Sequence, residues 1–140
     1  MQPITYLIFN GDCEEAFKFY ERVLGGKIEA MVSGVGTPME QQIPIERRDK
    51  ILNARLILDE GILFGMDAPP ERYQQPKGFF VSLEIADPAE AERLFHALEE
   101  GGKVEMPIQQ TFWAMRFGML VDRFGTPWMI NCTQAAQRAA

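Results

Sequence analysis

The chain has 140 residues, 46% of them apolar and 11% aromatic, with 20 acidic side chains, 14 basic ones and a net charge of −6. Such a chain builds one core rather than staying disordered, and its acidic balance argues against nucleic acid and anionic membrane surfaces, which are gripped by clustered Lys and Arg. His96 is the sole histidine, so a multi-histidine metal site cannot be built within one chain, and a catalytic triad would depend on that one residue.

Residues 4–9 read as a strand. Asp12 follows as an N-cap whose carboxylate can accept backbone N–H groups, with Glu15 completing a capping-box pattern. Ala16, Phe19, Tyr20 and Val23 fall at i, i+3, i+4 and i+7, the stripe of an amphipathic helix, and Gly25-Gly26 stop it. A strand at 27–32 is followed by a long segment, 34–50, of a size that serves either as a binding lid or as a solvated excursion with a short surface helix. Residues 51–58 and 62–67 read as a hairpin turning at Asp59-Glu60-Gly61, and a proline-rich connector occupies 68–77. The pattern then begins again. A strand at 79–85 leads to Asp87, Pro88 and Glu90 at a helix start, and Ala91, Leu94, Phe95 and Leu98 form the stripe. Gly101-Gly102 is the stop, 103–108 a strand, and 116–122 and 128–132 a second hairpin around residues 123–126.

The chain is therefore written twice. Asp12 matches Asp87 and Glu15-Ala16 matches Glu90-Ala91 at an offset of 75, while Gly25-Gly26-Lys27 matches Gly101-Gly102-Lys103 at 76. Gly61 and Gly125 align at 64, which also pairs Leu56 with Leu120 and Asp67 with Asn131. Each half is β-α-β-β-β, an α+β arrangement. No stretch approaches the roughly 20 apolar residues of a membrane span, the start lacks the basic region and apolar run of a signal peptide, and Cys13 and Cys132 form no CxxC, so the expectation is a cytoplasmic protein with two reduced thiols.

This organisation, with the pieces FYERVLGGKIE, QQTFWAMRFG and DRFGTPWMIN, resembles the vicinal oxygen chelate superfamily of glyoxalase I and bleomycin-resistance proteins. Thr111–Ala114 and Asp122–Trp128 make it most similar to the PhnB-like branch, whose members often carry a demethylubiquinone methyltransferase label. The resemblance implies a single glyoxalase-like domain over 1–140, with one module at about 3–67 and a second at about 78–133. Each module's curved mixed sheet contributes to a cup, with its helix on the convex side, and a homodimer often completes the cup around a small molecule. It also implies metal-ligand positions on the first and last strand of each module, which the repeat offsets place at Thr5, Gly65, Phe80 (or Val81) and Met129. Glycine and phenylalanine cannot coordinate, and a thioether suits soft ions. The expectation is that the metal site is lost and that no metal or other cofactor is used.

Strand alternation gives the cup residues. It puts Val81, Leu83 and Ile85 toward the helix and Phe80, Ser82 and Glu84 in the cup. Ile62, Phe64 and Met66 read as core, leaving Leu63, Gly65 and Asp67 in the cup; Trp128, Ile130 and Cys132 read as core, leaving Met129 and Asn131. Ala54, Leu56 and Leu58 as core leave Asn53, Arg55 and Ile57. The candidate ligand-binding residues are Thr5, Leu7, Asn53, Arg55, Phe80, Ser82, Trp113, Met129 and Asn131, with Phe9 also in the cup and Glu84, Asp67 and Arg55 as catalytic candidates. An apolar hollow with few polar groups is what a small-molecule site looks like.

Each candidate has a plainer reading. Arg55 and Glu84 can be an exposed cross-strand ion pair, Phe112 and Trp113 interface or core aromatics, His96 a residue on the flank of its helix, and Cys13 a small filler beside the N-cap. Gly34-Val35-Gly36 lacks the strand-turn-helix context of a nucleotide site, which leaves a methyltransferase role without support. Arg116 is pulled to opposite faces by alternation and by the repeat offset, which a bulge at Gly118 would reconcile. Three functions stay open: a metal-free binder of a small organic molecule, an acid–base isomerase or lyase using Arg55, Glu84 and Asp67, and a protein-interaction module presenting the TFWA segment and Phe17.

Overall fold

The computed structural model describes residues 1–133. It contains two compact units, Met1–Gln74 and Gln75–Ala140. In the first, β1 (Thr5–Phe9), α1 (Cys13–Leu24), β2 (Lys27–Ser33), β3 (Ile51–Ile57) and β4 (Ile62–Asp67) form a mixed sheet of order β1-β4-β3-β2 with one helix against it. In the second, β5 (Val81–Glu84), α2 (Pro88–Glu99), β6 (Lys103–Gln109), β7 (Ala114–Val121) and β8 (Pro127–Thr133) repeat the plan as β5-β8-β7-β6. β1 runs parallel to β4 and β5 parallel to β8; the other neighbours are antiparallel. The α+β reading and the repeated β-α-β-β-β order both hold.

The helices form where capping and periodicity place them. α1 buries Cys13, Ala16, Phe17, Phe19, Tyr20 and Val23, and α2 buries Ala91, Leu94, Phe95 and Leu98. Each large apolar side chain on these stripes contributes about 1.5–3 kcal/mol of burial. Phe17, placed by the sequence on an exposed partner surface, is fully buried; its ring meets Phe9 edge-on at 6.0 Å. The Asp87 side chain caps α2 by accepting from the Ala89 N–H at 3.2 Å. The Asp12 side chain makes no such cap bond; its backbone carbonyl accepts from Ala16 at 2.9 Å instead.

The two Gly-Gly pairs divide their labour in the same way. Gly25 (φ 77°) and Gly101 (φ 74°) adopt the left-handed backbone that ends a helix. Gly26 and Gly102 then pass so close to the next hairpin that a side chain has no space: a Cβ on Gly26 would lie 2.6 Å from the Ile57 carbonyl oxygen, and one on Gly102 would overlap that of Val121.

Register sorts each sheet into a face against the helix and a far face. In the second unit the outcome follows the alternation reading. Trp128, Ile130 and Cys132 are fully buried, while Ser82 with Met129 and Glu84 with Asn131 sit opposite one another on the far face. In the first unit two strands are turned over relative to expectation. Leu7 and Phe9 are buried against α1, with Thr5 on their side, so Leu7 and Phe9 do not line the far face; Tyr6 and Ile8 do. On β4 the helix-facing set is Leu63, Gly65 and Asp67, and Ile62, Phe64 and Met66 face away. The reason is packing. A Cβ on Gly65 would run into the Phe17 ring, so the strand's glycine is where α1 presses against the sheet.

The repeat offset hides a one-residue difference. Residues 58–61 join Ile57 to its partner Ile62, whereas residues 122–126 join Val121 to Pro127. Register therefore equates Leu63 with Trp128, Gly65 with Ile130 and Asp67 with Cys132, not Gly65 with Met129 or Asp67 with Asn131. Arg116 lies on the helix side, where its Nε donates to Glu92 of α2 at 2.9 Å, and the bulge falls between Ala114 and Arg116 rather than at Gly118.

Candidate functional site

The far face of the first unit carries a row across three strands, Tyr6–Phe64–Arg55. The Tyr6 and Phe64 rings meet edge to face at 5.6 Å, and the Arg55 guanidinium stands 5.0 Å over the Phe64 ring centre. Asn53 Nδ2 donates to the Tyr6 hydroxyl at 3.1 Å, and the ionic partner of Arg55 is Glu29 at 3.7 Å. Both members of that ion pair are half exposed, so the contact is worth little to stability.

Asp67 is not a site residue of this face. It is buried, its Oδ1 accepts from the backbone N–H groups of Gly11 and Cys13 at 3.0 Å each, and its Oδ2 accepts from Ile51 N–H at 2.9 Å. The carboxylate thereby fastens the start of α1 to β3. It supplies the anchoring that Asp12 was expected to supply. Asp122 has the corresponding task in the second unit but at another place. It accepts from Phe124 and Thr126 N–H and from the Trp128 indole at 2.8 Å, closing the β7–β8 turn.

The far face of the second unit gathers Ser82, Glu84, Met129 and Asn131, all placed there by alternation, together with Phe117 and Thr133, which the sequence left out. The Glu84 carboxylate is exposed yet fixed. Asn131 Nδ2 donates to its Oε2 at 2.9 Å, and the Thr133 hydroxyl donates to its Oε1. Phe117 stands opposite Asn131, and the Trp113 ring meets Phe117 at 5.3 Å. Phe80 is half-buried and precedes β5, while Val81 opens the strand opposite Trp128. Phe112, 89% exposed, projects from the β6–β7 turn, where the Thr111 hydroxyl accepts from Ala114 N–H at 3.1 Å. Thr133 and Phe117 were legible only through strand pairing, which puts them beside Glu84 and Asn131.

Other candidates fall away from these faces. His96 lies exposed on α2, with Nδ1 2.9 Å from Glu99 and Nε2 3.3 Å from Glu92; the Glu99 and Glu92 carboxylates raise its pKa above the usual 6.5. The Cys13 thiol is pushed far above its ordinary range by burial, and by Asp67, Asp12 and Glu14, so the helix N-terminus does not activate it. Segment 34–50 forms two short 3-10 turns, Glu40–Gln42 and Ile45–Arg47, and is tied down by Arg47 to the Ala68 carbonyl at 3.1 Å and Lys50 to that of Gly11 at 3.0 Å. A groove of about 370 Å³ at the first turn of α1 is lined by Gly11, Asp12, Glu14, Glu15 and Lys18. Among the described residues no three His, Cys, Asp or Glu side chains gather so as to hold a metal ion, and no helix is long and apolar enough to cross a membrane.

The family model described as Glyoxalase/Bleomycin resistance protein/Dioxygenase superfamily matches residues 3–130. The chain belongs to that superfamily. It is 34% identical to Protein YjdN of Escherichia coli strain K12 over 134 residues, 90% of this chain and 91% of the relative. Its fold superimposes on that of protein PA1353 from Pseudomonas aeruginosa with a TM-score of 0.87 at 48% identity, covering 96% of this chain and 98% of that one. The PhnB protein from Bacillus cereus shares the fold at a TM-score of 0.78 and 20% identity, over 95% and 100% of the two chains. So does the fosfomycin resistance protein FosX from Listeria monocytogenes, at 0.69 and 10% over 100% and 98%, in a structure with Mn(II) and a dihydroxypropylphosphonic acid. Such distant likenesses establish architecture; chemistry has to come from the residues present.

Proposed function

We propose that this superfamily member is a cytoplasmic, homodimeric protein that binds a small organic molecule on the far faces of its sheets without a divalent metal. The observation that carries the reading is the make-up of the second unit's far face: one rigidly held carboxylate, Glu84, among Met129, Phe117 and the half-buried Asn131. A few fixed polar groups on an apolar surface suit recognition of an organic ligand. The same list does not suit a divalent cation. With strand pairing corrected, the far-face positions on the first and last strands are Tyr6 and Ile8, Ile62, Phe64 and Met66, Ser82 and Glu84, and Met129, Asn131 and Thr133. That set offers one carboxylate and no imidazole, where catalytic metal sites use three or more strong donors. No step is therefore routed through a metal.

An acid–base reaction on this face would have to use Glu84, since Asp67 is spent on backbone N–H groups. The decisive experiment is native mass spectrometry of freshly purified protein, reporting subunit count and retained small molecules together. A dimer with an organic adduct and no stoichiometric Zn, Ni, Mn or Fe is the expected result. One equivalent of metal per chain, lost on Glu84→Gln, would overturn the proposal.

A further inference from the structure

Resting on the small-molecule reading above, we propose that the second unit's far face selects a ligand by a cationic, hydrogen-bond-donating group, an organic ammonium, and rejects anions. The argument is a count of donors and acceptors in the row Glu84–Asn131–Phe117. The Thr133 hydroxyl has one proton, and it goes to Glu84 Oε1. Thr133 Oγ1 can then only accept, and it accepts from Asn131 Nδ2 at 3.2 Å. Asn131 Nδ2 also donates to Glu84 Oε2 at 2.9 Å, so both amide protons are committed and the amide orientation is fixed. Every side-chain donor of the cluster is consumed inside it.

What is left over is acceptor capacity alone. The Glu84 carboxylate is exposed; its Oε1 also accepts from the Thr133 N–H at 3.4 Å, which leaves open capacity on Oε2, and Asn131 Oδ1 is buried with no hydrogen-bond partner among the described residues. No basic side chain among the described residues forms an ion pair with Glu84. A carboxylate held in place without a cation recognises a group that brings both protons and positive charge; a phosphonate or carboxylate would meet repulsion from Glu84 and no side-chain donor from Asn131 or Thr133. Two strands away, about 10 Å along the row by ordinary strand spacing, stands Phe117, with Trp113 packed against its ring at 5.3 Å. A carboxylate at one end and the half-buried Trp113 ring, backed by the buried Phe117, at the other match a small amine carrying an apolar body.

Three probes sharing one phenyl group test the idea: phenethylamine, 2-phenylethanol and 3-phenylpropionate, titrated into the full chain and followed by amide NMR shifts. Phenethylamine should bind on the order of tenfold more tightly than 2-phenylethanol, with 3-phenylpropionate weakest. Glu84→Gln should erase that order, bringing the amine's affinity down to about that of the alcohol. If that variant fails to fold by circular dichroism, sodium chloride serves on the native protein, because added salt must weaken the amine and spare the alcohol. Equal or tighter binding of the propionate, or an order that survives Glu84→Gln, overturns the cation preference while leaving the small-molecule reading intact. No shift with any probe counts against both.

Discussion

The two units share strand order, helix placement and a paired-glycine stop, yet their far faces are decorated in opposite ways. Where the first unit has the row Tyr6–Phe64–Arg55, the second has Ser82–Met129–Met119. Where the second has Glu84 opposite Asn131, the first has Ile8 opposite Met66. The cation of one unit and the carboxylate of the other thus stand at non-equivalent positions. Buried polar anchors differ as well: Asp67 ties the helix to the sheet in the first unit, and its register partner in the second is Cys132, whose thiol lies 3.5 Å from the Ala86 carbonyl. A β-α-β-β-β frame needs its glycines, its helix stripe and one satisfied carboxylate near a turn or cap. Where that carboxylate sits, and what the far face bears, can change without altering the frame.

The largest effect that sharpens this contrast comes from the anchors. Asp67→Ala orphans three backbone N–H groups at once, and it should lower stability by about 3–5 kcal/mol in urea unfolding. Cys132→Ala, at the matching position, should cost only about 1 kcal/mol. Equal costs would mean that the register equivalence is incorrect. Next comes Gly65→Ala, whose new methyl group meets the Phe17 ring; about 1–3 kcal/mol is expected, read as a fall in melting temperature. Gly61→Ala has nothing within 4 Å and should change little beside it.

The smallest effect belongs to α2. His96 has its pKa raised by Glu99 and Glu92, so its protonated form contributes stability that is fully present below the unfolded value of 6.5 and is lost as pH rises through the folded value. The group is exposed and screened, so the change in melting temperature should be slight. An NMR titration of this single imidazole reads it directly, and Glu99→Gln should bring its pKa down toward 6.5.

Much of this architecture was legible in the sequence because local signals agreed with the fold. Asp87-Pro88 starts α2, Gly25 and Gly101 end the helices, and Trp128, Ile130 and Cys132 alternate cleanly with Met129 and Asn131. Strands β1 and β4 of the first unit carried no such signal. In β1 both alternate sets are apolar, Tyr6 with Ile8 and Leu7 with Phe9, so periodicity could not choose a face. In β4 periodicity chose wrongly, because Ile62, Phe64 and Met66 look more like core than Leu63, Gly65 and Asp67. The core face won with a glycine that admits Phe17 and a carboxylate filled by backbone N–H groups, two contacts made at a distance of some fifty residues. Anchoring the repeat on Gly61 and Gly125 concealed the extra residue in the later turn. The far-face cluster was half visible: Ser82, Glu84 and Asn131 came from alternation, while Thr133 and Phe117 needed the pairing of β8 with its neighbours.

Strand β1 joins its sheet through β4, with Thr5 beside Leu63, rather than through the elements that follow it directly. During translation it leaves the ribosome before β4 and must wait, unpaired and displaying Tyr6 and Ile8, until residue 67 has been made. Nascent β1 is therefore a stretch that gains from a chaperone's cover, as β5 is while it waits for β8.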